Sequence, residues 1–389
     1  MARTVGIDPG RVLIAGVSTR ALAISAAHAG YQVTAIDAFG DLDLRRAAQV
    51  IALRPDHGMR YSPSAAVAAA EGVPSAMAAY TSNFENYPGS VTRLARHHQL
   101  LGNPSTVLIR VRNPIELMRT LNRRGFATPR TRTRPLPAPQ RARSWLIKPR
   151  QSGGGHGTSV WRRGQPVPRT HYLQERLPGT PGSLLFAADG RRAVPLGLSR
   201  QLVADARFGA HGFRYCGSLF GPDTGLFPLQ DHLLQIAGNL ASAVTEEFGL
   251  VGLNGVDFIA RNGVPYPIEV NPRYSASMEL VERAQGLSIF EMHAEACHGT
   301  LPPVPIGQVA VQGKAIVFAR RNVALGDTRP WLENGWFADI PYPGERIGRG
   351  RPICTVFATG RNAAACHRSL VRRAAGVYRA AESRKRGAA

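Results

Sequence analysis

The sequence predicts an α/β protein in three parts, and three stretches carry that prediction. Residues 11–37, RVLIAGVSTRALAISAAHAGYQVTAID, read as strand, helix and strand, the unit of a parallel sheet with helices on its faces. Residues 144–161 run from an apolar strand, SWLIKP, into a glycine-rich loop, RQSGGGHGTSVW. Residues 251–273, VGLNGVDFIARNGVPYPIEVNPR, read as a hairpin turning at Arg261-Asn262-Gly263.

In chain order, the first strand ends at Gly16, an alanine-rich helix carries Leu22, Ile24 and Ala27, and Gly30 closes it before the strand YQVTAID. This is a Rossmann-like layer, continued to about residue 102 with a helix at 64–71 and NFENYP (83–88) as a loop. Asp37 ends the second strand, where a dinucleotide site would want an acid. The turn Gly-Val-Ser-Thr-Arg lacks the later glycines of that fingerprint, so a structural layer is expected instead of a nicotinamide-using oxidoreductase. Asn113-Pro114 starts a helix that Gly125 stops, and the proline- and arginine-rich 127–143 reads as a connector between lobes. Strands and turns alternate to about 205, a helix fills 231–248, and strands 251–260 and 264–271 form the hairpin. Then come a helix near 276–285, a break at LPPVPIG (301–307), several short strands, a helix from Asn362 and the basic tail SRKRGAA. The expected division is 1–102, 103–303 with a glycine-loop lobe at about 143–205, a small β-rich unit at 304–376, and a tail at 377–389.

Composition narrows the function classes. No run reaches the roughly 18 apolar residues of a membrane span, and the N-terminus shows no cleavage site. Cys216, Cys297, Cys354 and Cys366 are scattered without CxxC spacing, which reads as reduced thiols in a cytoplasmic protein. The formal charge of +22 invites an acidic partner, yet the arginines are spread along the chain and no zinc-finger or RRM signature accompanies them. That speaks against nucleic acid and leaves a solvated basic surface, or a polyanionic substrate. Only Lys148, Lys314 and Lys385 are lysines among the 48 basic residues. Where arginine is the default cation, a lysine marks a position that wants a slim ammonium.

Lys148 ends an apolar strand just before Gly153, Gly154, Gly155 and Gly157. Glycines let consecutive N–H groups turn inward and cradle phosphate oxygens, and the ammonium adds charge, although a flexible hairpin would use the same run. This is no Walker A loop, because a strand follows instead of a helix. In HYLQERLPGTPGS, an apolar strand ending in Gln174-Glu175 could present a backbone edge and a polar side chain to a purine, or could be an ordinary strand edge. In the hairpin, Tyr266, Ile268 and Val270 read as one face, and Glu269 and Asn271 as the other. Register about the turn brings Asp257 to them. Two carboxylates and an amide oxygen are hard ligands suited to Mg²⁺ that also takes phosphate oxygens.

These motifs, in this order, resemble the ATP-grasp superfamily, and the flanking layers look like its biotin-carboxylase branch and the carboligase relatives linked to tetrahydromethanopterin- and methanofuran-type cofactor pathways. The resemblance implies a two-lobed core that uses ATP and Mg²⁺. Lys148 and the glycine loop would hold phosphates, Gln174, Glu175 and the Leu177 backbone would frame adenine, and Asp257, Glu269 and Asn271 would hold magnesium. Arg273 would steady an acyl phosphate. The implied reaction joins a carboxylate to an amine with release of ADP, or carboxylates with bicarbonate. The substrates are small molecules, a glutamyl-type polyanion among them, and the homodimers common in that branch are a further expectation. One departure is clear: the second lysine usual before the glycine loop is missing, which leaves Arg110 or Arg112 to fill its place.

Overall fold

The computed structural model describes residues 10–134, 144–221, 225–303 and 310–382. Parts of the expected connector (135–143) and break (304–307), and the tail SRKRGAA, lie outside the described residues.

The N-terminal layer is a five-stranded sheet in the order Gln49–Ala52, Gln32–Asp37, Arg11–Ala15, Met77–Tyr80, Gln99–Leu101. Its pairings are parallel, as alternating strands and helices dictate. Helix Pro63–Ala70 starts where Ser62 accepts a hydrogen bond from Ala65 N, with proline at its first position. Asp37 is fully buried, and both of its oxygens are spent on the N–H groups of Thr19, Phe39 and Gly40 and on the Thr19 hydroxyl. A Cβ at Gly16 would lie 1.8 Å from the Thr81 hydroxyl, so the strand ends close on one another where a dinucleotide would enter.

The core is one antiparallel sheet of eight strands: Val264–Asn271, Val251–Arg261, Thr180–Asp189, Ala193–Val203, Tyr215–Phe220, Val311–Phe318, Pro352–Gly360 and Phe337–Ala338. The last three belong to the C-terminal β-rich segment, which is therefore built into the core sheet, a union that sequence spacing does not disclose. Helices Gln230–Phe248 and Ala363–Glu382 cover one face, burying Leu233, Leu240 and Val244 with Phe186, Val256, Phe258 and Val270. A second sheet, in the order Thr131–Arg132, His171–Glu175, Trp145–Pro149, Ser159–Val160, forms the small lobe around Trp145, Ile147 and Leu173.

The hairpin corrects one expectation. Tyr266 does not share a face with Val270: Asp257 pairs with Glu269 but Phe258 with Pro267, leaving Ile268 as an extra residue. Such a bulge resets the period-two alternation. Pro265, Pro267 and Val270 turn to the core, while Glu269 and Asn271 share the opposite face with Asp257.

Candidate active site

The site lies where the small lobe, the hairpin and the N-terminal layer meet. Glu269 stands directly across from Asp257, and Asn271 across from Gly255. Asn271 donates from Nδ2 to Asp257 Oδ2 at 3.0 Å. Withdrawal from water, and then repulsion from Glu269, pushes the Asp257 carboxyl up to about 7. Glu269 also suffers desolvation, but the Arg112 and Lys148 cations outweigh it and hold that carboxyl low. The pair thus shares one negative charge more readily than two. Among the described residues no three His, Cys, Asp or Glu side chains converge on a common point. Two carboxylates and one amide oxygen leave coordination positions for phosphate oxygens, which fits a hard cation that arrives with a nucleotide.

Lys148 reaches the same space from the small lobe. Its Nζ donates to Gln174 Oε1 at 3.1 Å, and Gln174 Nε2 donates to the Ile268 carbonyl at 3.2 Å. Gln174 therefore bridges the small lobe to the hairpin, with its amide committed to that bridge. Burial opposes the Lys148 charge, yet Tyr172 and the Glu269 and Asp257 carboxylates raise it above the usual lysine range. Glu175 turns the other way, its Oε2 accepting from Arg130 N at 3.2 Å. Leu177 follows the strand end half-buried, and its backbone N–H and carbonyl make no backbone hydrogen bond among the described residues. That backbone edge is open to a ligand's donors and acceptors.

The glycine loop starts beside this space, where Arg112 reaches the Ser152 carbonyl. Gly154, Gly155 and Gly157 have φ of 60°, 76° and 72°. The N–H groups of Gly153, Gly154, Gly155 and Gly157 have no backbone acceptor among the described residues. Tyr215 N donates to the Gly154 carbonyl at 3.0 Å, docking the loop on strand Tyr215–Phe220. Open amides beside a lysine suit phosphate oxygens.

Arg112 ties these parts together. It donates to the Val270 carbonyl at 2.9 Å, Asn86 Oδ1 at 3.0 Å and the Ser152 carbonyl at 3.0 Å, and lies 3.5 Å from Glu269 Oε2. Arg110 points away, to the Glu247 carbonyl and the Phe248 ring. Of the two arginines, only Arg112 reaches the site. Arg273 is buried and pairs with Glu85 at 2.7 Å, also touching Asn271 Oδ1 at 3.3 Å. Glu85 Oε2 and Arg273 Nε are buried without a partner among the described residues. Sequence reading placed NFENYP as a loop but gave Glu85 no role. Its signal was an acid between Phe84 and Tyr87 in the turn that follows the buried strand MAAY.

Residues 111–277 match the family described as ATP-grasp domain. That segment is similar to an ATP-grasp domain. The segment contains Lys148, the glycine loop, Gln174, the hairpin and Arg273, and extends the likeness read from the motifs. The chain is 25% identical over 181 residues to a formate-dependent phosphoribosylglycinamide formyltransferase of Syntrophotalea carbinolica, covering 44% of either protein. Its matches span less than half the length of the curated relatives, 33% and 44%. The fold of nearly the whole chain is shared with biotin carboxylase of Campylobacter jejuni (TM-score 0.69, 13% identity, 90% of this chain and 87% of that one). It is shared also with L-amino acid ligase of Bacillus licheniformis (TM-score 0.65, 14% identity, 95% and 98%). Among the described residues, no helix of the chain is long and apolar enough to cross a membrane.

Proposed function

We propose that the chain is an ADP-forming ligase that joins a carboxylic acid to an amine. The observation that carries the reading is the convergence of the Asp257–Glu269–Asn271 face, Lys148, Arg112 and open glycine-loop amides on one space. That set of charges matches a nucleoside triphosphate bound with a divalent cation. The ligase name and full-length fold of the Bacillus licheniformis protein support the same reaction class.

In this reading the substrate carboxylate attacks the γ-phosphorus of ATP, an acyl phosphate forms and ADP leaves. The amine then attacks the acyl carbon, the amide forms, and phosphate and a proton are released. Asp257, Glu269 and Asn271 would hold magnesium, which would supply charge neutralisation for the phosphate oxygens. Lys148 and the loop amides hold the transferring phosphoryl group, so that positioning and electrostatics do most of the catalysis. Arg112 takes the place of the missing second lysine and holds the loop to the hairpin. Arg273 faces the acyl phosphate, with Glu85 setting its orientation. The glycine loop excludes water while the intermediate lives. The finer part of the proposal is an acid bearing several carboxylates, of the glutamyl type found on one-carbon cofactor precursors, supported by the +22 charge.

The test is a screen of acid and amine pairs for ADP release with magnesium present. Release that needs bicarbonate and no other acid would move the reading to a carboxylase. No ADP with any pair, and no nucleotide binding, would overturn it.

A further inference from the structure

We propose that the buried ion cluster around Glu279 positions the Arg273 loop, with Lys314 as its positioning residue. The kinetic half of this proposal rests on the ligase reading above, while the structural half stands without it.

Residues 273–279 lead from the carboxylate hairpin into helix Met278–Gln285. Both ends of this strap are pinned by charges from the N-terminal layer. At its start Arg273 pairs with Glu85, and at its end Glu279 pairs with Arg20. Between the pins, Ala276 is exposed, and its carbonyl turns inward to accept from Lys314 Nζ at 3.2 Å. The same ammonium lies 2.5 Å from Glu279 Oε2. Lys314 thus grips the strap by its backbone and by the side chain that ends it. Ser277 Oγ meets Ser218 Oγ at 2.7 Å and fixes the strap to the sheet floor.

The cluster continues outward. Arg20 Nε donates to Asp339 Oδ1 at 3.0 Å, and Asp339 Oδ2 accepts from the Thr355 hydroxyl at 2.5 Å. The N–H groups of Asp339 and Ile340 each donate to Asp43 at 2.9 Å. Charges from the first helix, the helix after the strap, strand Val311–Phe318 and the segment before Pro352–Gly360 therefore meet in one buried place. Buried ion pairs add little net stability over apolar packing, and their best-attested use is to specify one geometry. Here the geometry specified is the seating of the N-terminal layer on the strap that carries Arg273. Lysine suits the place because one narrow ammonium has to serve a carbonyl and a carboxylate side by side.

The test is Lys314→Met, which keeps the stem and removes the ammonium while Glu279 retains Arg20. Glu279→Gln, close in shape, is the second variant should the first fail to fold. Amide hydrogen exchange across 273–277 is read alongside ADP-release kinetics and the melting temperature. The expected result is exchange about tenfold faster or more in the strap, with kcat down by a similar factor and KM for ATP within about twofold. Unchanged strap exchange, or unchanged kcat, overturns the proposal. So does a parallel loss of kcat, ATP affinity and melting temperature, which would make the cluster a general stabiliser. If the wild-type chain binds no Mg·ATP, the ligase reading fails, and the exchange measurement alone decides the positioning.

Discussion

Gly155→Ala tests the glycine loop at its tightest point. Gly155 has φ +76°, and a Cβ there would lie 1.8 Å from the Phe213 carbonyl oxygen. Real Cβ contacts essentially never fall under 3.0 Å, so backbone has to move by at least 1.2 Å. The left-handed conformation costs a non-glycine residue about 1–2 kcal/mol. Displacing the loop also breaks the Tyr215 N–H bond to the Gly154 carbonyl, for about 1 kcal/mol more. Together these come to about 2–3 kcal/mol, or about 30- to 150-fold against the docked loop. Gly153→Ala is the control, since its Cβ meets nothing within 4 Å and its φ is not positive, and it should change affinity by no more than about twofold. Calorimetry with Mg·ADP, amide exchange at Tyr215 and a thermal melt separate the outcomes. The expected pattern is weaker nucleotide binding and an exposed Tyr215 amide, with the melt nearly unchanged because the loop lies outside the buried clusters. Normal nucleotide affinity with an exposed Tyr215 amide would refute the phosphate role of the loop. Equal damage from Gly153→Ala would refute the steric argument.

Glu269→Gln should abolish ATP turnover with the fold intact, and magnesium-dependent turnover in that variant would remove the metal assignment. With Asp257 near 7, cation binding below that pH has to displace a proton, so Mg·ATP affinity should fall by up to about tenfold per pH unit below 7. Calorimetry from pH 5.5 to 8 checks this, and the dependence should flatten in Glu269→Gln. Lys148→Arg should weaken ATP binding despite the retained charge, because a planar guanidinium does not fit beside Gln174 and the Ile268 carbonyl; normal affinity would leave the loop a plain hairpin. Glu279 is buried, but Arg20 and then Lys314 hold it at about 2 against an ordinary 4.5. Its folded value lies below the unfolded one, so about 3 kcal/mol of stability is present above pH 4.5 and is lost as pH falls through 2. Urea unfolding at pH 6 and 3 should show a smaller acid loss in Glu279→Gln than in wild type. A polyanionic acid should lose kcat/KM steeply between about 20 and 300 mM salt, and a flat profile would leave the charge without a part in recognition.

The hairpin was legible because its chemistry is local. Asp257 and Glu269 are twelve residues apart around one turn, so the turn's register brings them close, and the bulge at Ile268 sets them directly face to face. The glycine loop was legible for the same reason, with lysine and glycines in one window. The bulge at Ile268 escaped, since nothing in VPYPIEVN announces an extra residue, and it moved Tyr266 to the polar side. The merging of the C-terminal strands into the core sheet also escaped, because the pairing of Tyr215–Phe220 with Val311–Phe318 joins strands nearly a hundred residues apart.

The choice between Arg110 and Arg112 shows where local reading stops. Arg110 lies in the last turn of helix Ser105–Val111 and Arg112 caps its end, two residues on and so on a different face. Which face meets the cleft depends on how that helix packs. The same holds for Arg20 and Glu279, 259 positions apart, and for Glu85 and Arg273, 188 apart. No spacing rule pairs them, yet composition carried part of the answer. In an arginine-dominated chain, scarcity marked three lysines, and the two inside the described residues both sit where one ammonium serves crowded oxygen acceptors. Lys148 meets Gln174 beside two carboxylates, and Lys314 meets a carbonyl beside Glu279. A slim cation was kept where a wide one would not fit, and that physical demand was visible in the sequence before its partners were.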